Sequence, residues 1–427
     1  MDMVHYVGCQ RRVAADRGLG PSRAVSLILL LSALLMAAGS LRNLISPAGY
    51  WGAWGVWLLL ALAVAWPRGP LDPAWRRPRW VMGSYGVLCL AMLLAAAVNR
   101  DAATAYQALK IAVIALMFLA MWGLARHADW RQLVRAAAGA VIVMLLSLAI
   151  SKYWTVSGGL RLYIGNREGS VLASYGVLWK AGALFLPLFL ADLAVRSGAW
   201  RTSGPLAAAC LFITLADGSR TGQLVLVMIG VGFLAYLLRR GGWSLLNRSL
   251  RWLWLIPVLL FVFLLFNSWL HGGPGDPARI LDAAWTRMFE TRLGAGDPAR
   301  MKLLQAAFAQ IPQCQPFGCG FMTTGADIHN RGTLMPVHNA YLAALGDFGV
   351  LGLAGMLGFL VAAILPIWRA WRGDVDLEQG FFVVATAGSA LAYGVALMLN
   401  TFTTEMSEWG YLILMLAFAW APPKTSA

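Results

Sequence analysis

Long apolar runs recur along the whole chain, and they constrain the fold more than any other feature. A helix crossing a bilayer needs about 20 consecutive, mostly apolar residues. Such runs occur at 24–44, 48–66, 80–98, 104–125, 135–151, 170–194, 203–217, 221–238, 252–270, 338–367, 380–400 and 405–421. Of the 427 residues, 59% are hydrophobic and 12% charged, about half the charged share of a soluble domain. A soluble fold could not bury that much apolar surface. The expected fold is therefore all-α, a polytopic integral membrane protein of about twelve transmembrane helices. It divides into nine spans with short loops (1–270), a long loop (271–337) and three closing spans (338–427). The basic stretch Arg11, Arg12, Arg17 and Arg23 precedes an apolar run of full spanning length, which reads as a first helix that is retained. No internal repeat or low-complexity tract is visible.

The formal charge of +15 would suggest nucleic acid in a soluble protein. Here no basic face is interleaved with aromatics, so nucleic acid is not an expected partner. The cations follow topology instead. With the N-terminus inside, 20 of the 34 Lys and Arg fall in short cytoplasmic segments and 12 on the opposite side, as the positive-inside rule requires. Both termini are expected in the cytoplasm. Ten of the twelve outer cations are arginine, and six of the twelve lie within 271–337. Outer arginines run against the topological preference, so they need another reason to be there.

The long loop carries helical patterning. Asp297-Pro298 reads as an N-cap with proline at the first helical position, and Met301, Leu304, Phe308 and Ile311 follow on one face. Leu281, Trp285, Met288 and Phe289 form an earlier stripe. Two amphipathic helices lying on the membrane surface is the favoured reading, and a small soluble cap is the other. Cys314 and Cys319 share the loop, and their spacing permits a disulfide in an oxidising compartment without requiring one. Cys9, Cys89 and Cys210 read as unpaired.

The strongest local pattern starts where the loop re-enters the membrane: His338-Asn339-Ala340-Tyr341-Leu342, then Asp347, Gly349 and Gly352. At 100° per residue, Leu342, Leu345, Gly349 and Gly352 lie within about 40° of His338, a stripe whose small residues would let another helix approach closely. Asp347 falls about 180° away and reads as a buried partner for a neighbouring helix. Lys110 and Lys180 lie inside spans, where charge is costly. Lys110 is near enough to one end to snorkel, whereas Lys180 stays a functional candidate. Glu405 and Glu408 open the last span, either facing a site or capping a helix. Asp374-Val375-Asp376 reads as a solvated turn.

His-Asn-x-x-Leu, a carboxylate nine positions after the histidine and then Gly-x-x-Gly resemble the signature of the O-antigen ligase and polymerase superfamily of bacterial membrane glycosyltransferases. Arg300 followed by Pro316-Phe317-Gly318-Cys319-Gly320 resembles that family's arginine and Pro-x-x-Gly-x-Gly block. Ser219-Arg220 resembles its Ser-Arg turn, and Arg161 through Asn166 its outer arginine-to-asparagine segment. The resemblance covers roughly 155–370, with its pieces in order and all on the outer side. It implies a GT-C-like fold with a periplasmic helical loop before the tenth helix. It also implies transfer of a glycan from a polyprenyl (undecaprenyl) diphosphate donor to an acceptor hydroxyl outside the cytoplasm, in the inner membrane of a Gram-negative bacterium.

The residue types suit that chemistry. Guanidinium forks stay protonated and bind phosphate bidentately, so Arg161, Arg220 and Arg300 are expected on the diphosphate. A neutral histidine can take the acceptor's proton, and neighbouring arginines disfavour its charged form, which gives His338 the role of base or acceptor-orienting group. Asn166, Arg167, Ser219, Lys302 and Asn339 are expected as second-rank substrate contacts. No metal and no cofactor is needed if arginines stabilise the leaving group. No outer arginine has glycine eleven positions later, a pattern that polymerases of the family tend to carry. That tilts the reading to a ligase whose acceptor is the lipid A–core of lipopolysaccharide, in contact with inner-membrane lipid, with the polymerase as alternative. A lipid-linked glycan transporter or flippase is the alternative of another class. It should show inverted repeats or helices broken at the midplane, and the sequence suggests neither.

Overall fold

A computed structural model describes residues 21–65, 78–158, 170–173, 176–196, 198–241, 298–328 and 332–422. Its helices are α1 (Pro21–Ala37), α2 (Leu41–Ala65), α3 (Arg79–Asn99), α4 (Ala102–His127), α5 (Trp130–Gly158), α6 (Leu178–Val195), α7 (Ser203–Asp217), α8 (Arg220–Tyr236), α9 (Pro298–Gln310), α10 (Ala340–Arg372), α11 (Leu377–Ala396) and α12 (Met406–Ala419). Between α9 and α10, the two-residue strands β1 (Gly325–Ala326) and β2 (Met335–Pro336) pair antiparallel. Among the described residues, eight helices are long and apolar enough to cross a membrane, and three shorter apolar helices accompany them. The chain is an all-α polytopic membrane protein. Eleven of the twelve expected spans correspond to described helices, whereas the ninth (252–270) and the first loop stripe (281–289) lie outside the described residues. So do Arg161, Asn166 and Arg167.

Side-chain placement follows from the solvent. Leu59, Leu93, Leu116, Val227, Val231 and Val361 are exposed, as expected of helix faces solvated by lipid tails. Inside, apolar packing cannot drive association against an equally apolar solvent, so small residues bring backbones together. Gly355 and Gly358 of α10 lie on α3: a Cβ at Gly355 would come 2.9 Å from Leu88 Cβ, and one at Gly358 2.4 Å from Ser84 Oγ. The small-residue contact is thus made by this later pair rather than by the expected Gly349 and Gly352.

Three element boundaries differ from the sequence expectation, each for a local reason. The turn between the first two spans falls at 38–40, and α2 begins at Leu41. Its helix breaks at Ser46 (φ 73°), because Pro47 both disfavours helical geometry in the residue before it and lacks an N–H. Ser46 Oγ then accepts the Gly49 N–H at 3.2 Å. The sixth span starts at 178 rather than 170, since its N-terminus is closed from another element. The Asp217 carboxylate at the end of α7 accepts the N–H groups of Gly176 and Trp179, the closest bond being 2.9 Å. Finally, α10 begins at Ala340 and is broken at Gly349 (φ 71°, ψ −167°).

Candidate functional site at one end of the bundle

Hydrogen bonds collect the turns assigned to the outer side at a single end of the bundle. Ser40 N–H donates to Leu172 O at 2.9 Å, and Asp217 ties the α7–α8 turn to the start of α6. Asn99 Nδ2 donates to Gly318 O at 2.9 Å, and Phe321 N–H to Thr104 Oγ1 at 2.7 Å. Thr104 also hydrogen-bonds Asp101, the N-cap of α4. With the backbone N–H groups of Ala103 and Thr104, this bond holds the Asp101 carboxyl below the usual carboxylate range.

The described residues of 298–340 are built onto this end. In α9, Leu303 and Ala307 are buried, whereas Met301 and Phe308 are exposed. Two members of the expected apolar stripe therefore face away from the protein, whereas Leu304 is half-buried and Ile311 packs against the core. Arg300 and Lys302 lie exposed in the first turn of α9. Gln310 exchanges two hydrogen bonds with Gly325, at 2.9 and 3.0 Å. Cys314 and Cys319 form a disulfide. Between the two cysteines the loop seats directly on α10, where a Cβ at Gly349 would lie 1.8 Å from Pro316 O and one at Gly318 2.3 Å from Asp347 O. The break in α10 is therefore where the loop docks, a broken helix that the sequence did not suggest.

Six of the nine expected site residues lie in the described structure, and all six are at this end. Ser219 caps α8, its hydroxyl accepting the Gly222 N–H at 3.5 Å. Arg220 is the first residue of α8 and is exposed. Asn339 caps α10, its oxygen accepting from Tyr341 and Leu342 at 3.1 and 3.0 Å. His338 is half-buried and stands one residue before that cap. It is thus outside the helix, and the helical stripe drawn from it does not apply. Asp347 is buried but partners the loop rather than a helix, accepting from Met322, Thr323 and Thr324. Asp376 caps α11.

The two intramembrane lysines form a second polar layer with the first turn of α12. Lys110 pairs with Glu405 at 2.7 Å and lies 4.9 Å from the Trp51 ring. Lys180, almost wholly buried, pairs with Glu408, which also accepts the Tyr393 hydroxyl. A cavity of about 20 Å³, room for about one water, touches Ala340, Tyr393, Thr403 and Glu408. It thus joins the head of α10 to this layer. Glu405 and Glu408 signal the arrangement by their three-residue spacing on one helix face, and Tyr393 carries no sequence signal at all. Among the described residues, no group of three or more His, Cys, Asp or Glu gathers as a metal site. No family model and no curated protein matches this chain.

Proposed function

We propose that the chain is a glycosyltransferase, the O-antigen ligase of lipopolysaccharide assembly. It would move a glycan from undecaprenyl diphosphate to a hydroxyl of lipid A–core at the periplasmic face of the inner membrane. The observation that supports this reading is the gathering of His338, Arg220 and Arg300, far apart in sequence, at one end of a membrane bundle, on three structured termini: a capped α10, a capped α8 and a docked α9. That arrangement suits a lipid-anchored donor whose diphosphate sits at the membrane surface while its glycan projects into water.

In this mechanism the acceptor hydroxyl attacks the anomeric carbon as the bond to the diphosphate oxygen breaks. His338 takes the hydroxyl proton, and the arginines carry the charge that grows on the departing diphosphate. Preorganised donors aimed at developing charge are each worth roughly 3–4 kcal/mol of barrier. Arg161 joins Arg220 and Arg300 in this role, with Arg167 a second-rank substrate contact. A single displacement inverts the anomeric centre. The twelve-span GT-C-like architecture belongs to the same proposal.

The test is deletion of the gene and electrophoresis of the lipopolysaccharide. Loss of every long-chain band, with lipid-linked polymer accumulating, is the expected result, and His338→Ala should fail to restore the bands at normal protein level. A surviving single-repeat band would assign the polymerase step instead.

A further inference from the structure

His338 stands between two anchors. On one side Asn339 is fixed as the cap of α10. On the other, Val337 N–H donates to Thr324 O at 3.0 Å, extending the β1–β2 pairing. Two-residue strands hold little by themselves, so the anchor is only as firm as whatever holds Thr324.

That partner is Asp347. Its Oδ1 accepts the Thr324 N–H at 2.8 Å, the Thr324 hydroxyl at 2.6 Å and the Thr323 hydroxyl at 3.2 Å, and its Oδ2 accepts the Met322 N–H at 2.9 Å. Asp347 and Thr324 are each 2% exposed. The fit admits no side chain at the neighbouring glycine, where a Cβ on Gly346 would lie 2.1 Å from Thr324 Oγ1. A carboxylate buried in an apolar helix is costly unless its oxygens are satisfied. Here every one of these donors comes from the outer loop and none from a neighbouring helix. The satisfied carboxylate therefore specifies where the loop lies, a use of buried polar groups distinct from stabilisation.

We propose that Asp347 is a positioning residue for His338, acting through Thr324, whose carbonyl fixes the backbone one residue before the histidine. The displacement that matters is small, because a misplacement of about 1 Å in a catalytic group can cost about a hundredfold in rate. The kinetic half of the proposal rests on the glycosyl-transfer reading, whereas the positional half does not.

Thr324→Val removes the hydroxyl donor at nearly constant shape, Thr324→Ser restores it, and Asp347→Asn weakens the same cluster. In proteoliposomes holding lipid A–core and an undecaprenyl-diphosphate-linked glycan, Thr324→Val should lower kcat about tenfold or more, with KM for both substrates within about twofold. Thr324→Ser should recover most of the rate. In protein labelled with 15N-histidine, the His338 imidazole resonance, assigned by its loss in His338→Gln, should move in Thr324→Val and Asp347→Asn and return in Thr324→Ser. Thr324→Ala gives the same readouts should the valine variant fail to fold. An unmoved resonance in folded Thr324→Val or Thr324→Ala protein would overturn the proposal, as would a loss of rate that serine does not rescue. A wild-type protein without transfer would sink the glycosyltransferase reading instead, and the resonance would still decide the positioning.

Discussion

At the residue scale, the two lysines placed where a membrane should exclude charge are each matched to a carboxylate at the start of α12. Lys180 on α6 and Glu408 on α12 form such a pair, with the Tyr393 hydroxyl on the same carboxylate. Removing one member of a buried pair leaves the other uncompensated, which costs roughly 3–5 kcal/mol, whereas removing both can be nearly neutral. Lys180→Met is therefore expected to lower the thermal midpoint in detergent by several degrees. Lys180→Met combined with Glu408→Gln should lie closer to wild type than the single variant. A double variant as unstable as the sum of the two singles would show that the residues do not interact. Sequence alone exposed the lysines as anomalies but not their partners, because pairing across helices depends on which faces meet, and that is set by packing. The same holds for Asp217 and Asp347. Asp217 reads as part of a tight polar turn and Asp347 as a partner for a neighbouring helix, yet each caps or anchors a segment distant in the chain.

At the element scale, α10 shows why helical periodicity misleads near a site. Gly349 adopts φ 71° and ψ −167°, a region essentially restricted to glycine, and its missing side chain leaves room for Pro316 O. Gly349→Ala thus meets both strain and collision. It should unseat the loop and raise amide exchange across 318–326, with a loss of stability of about 1–3 kcal/mol or more. Gly86→Ala in α3 is the matched control: nothing lies within 4 Å of the place a methyl would take there, and alanine is the better helix former by about 1 kcal/mol. Equal exchange in the two variants would remove the docking role from Gly349. Span existence was legible because each apolar run is long and continuous. Starts and breaks were less so, since Asn339, Asp101 and Asp217 close helices through hydrogen bonds that hydropathy does not register. Of the candidate site, the placement of His338, Arg220 and Arg300 at one end followed from counting spans. The exposed direction of Met301 and Phe308 needed the fold.

At the scale of the whole molecule, everything depends on which end faces out. The bundle has two polar ends with different chemistry. The end bearing Arg220, Arg300 and His338 also carries the disulfide between Cys314 and Cys319, which persists in oxidising compartments and rarely in the cytosol. The other end carries basic side chains set beside acids and aromatics, such as Arg196 on Asp192 and Arg372 over Trp368, in the short segments where cytoplasmic cations accumulate. Both observations favour the disulfide-bearing end as the outer one. Arg100, exposed in the α3–α4 turn, and Asp374, exposed in the α10–α11 turn, report on the two ends without touching the proposed chemistry. In spheroplasts, an impermeant maleimide should label an Arg100→Cys protein directly, and an Asp374→Cys protein only after the membrane is permeabilised. The reverse pattern would place the arginines in the cytoplasm, where nucleotide-linked rather than outward-facing lipid-linked sugars are the accessible donors, and the ligase reading would fall with it.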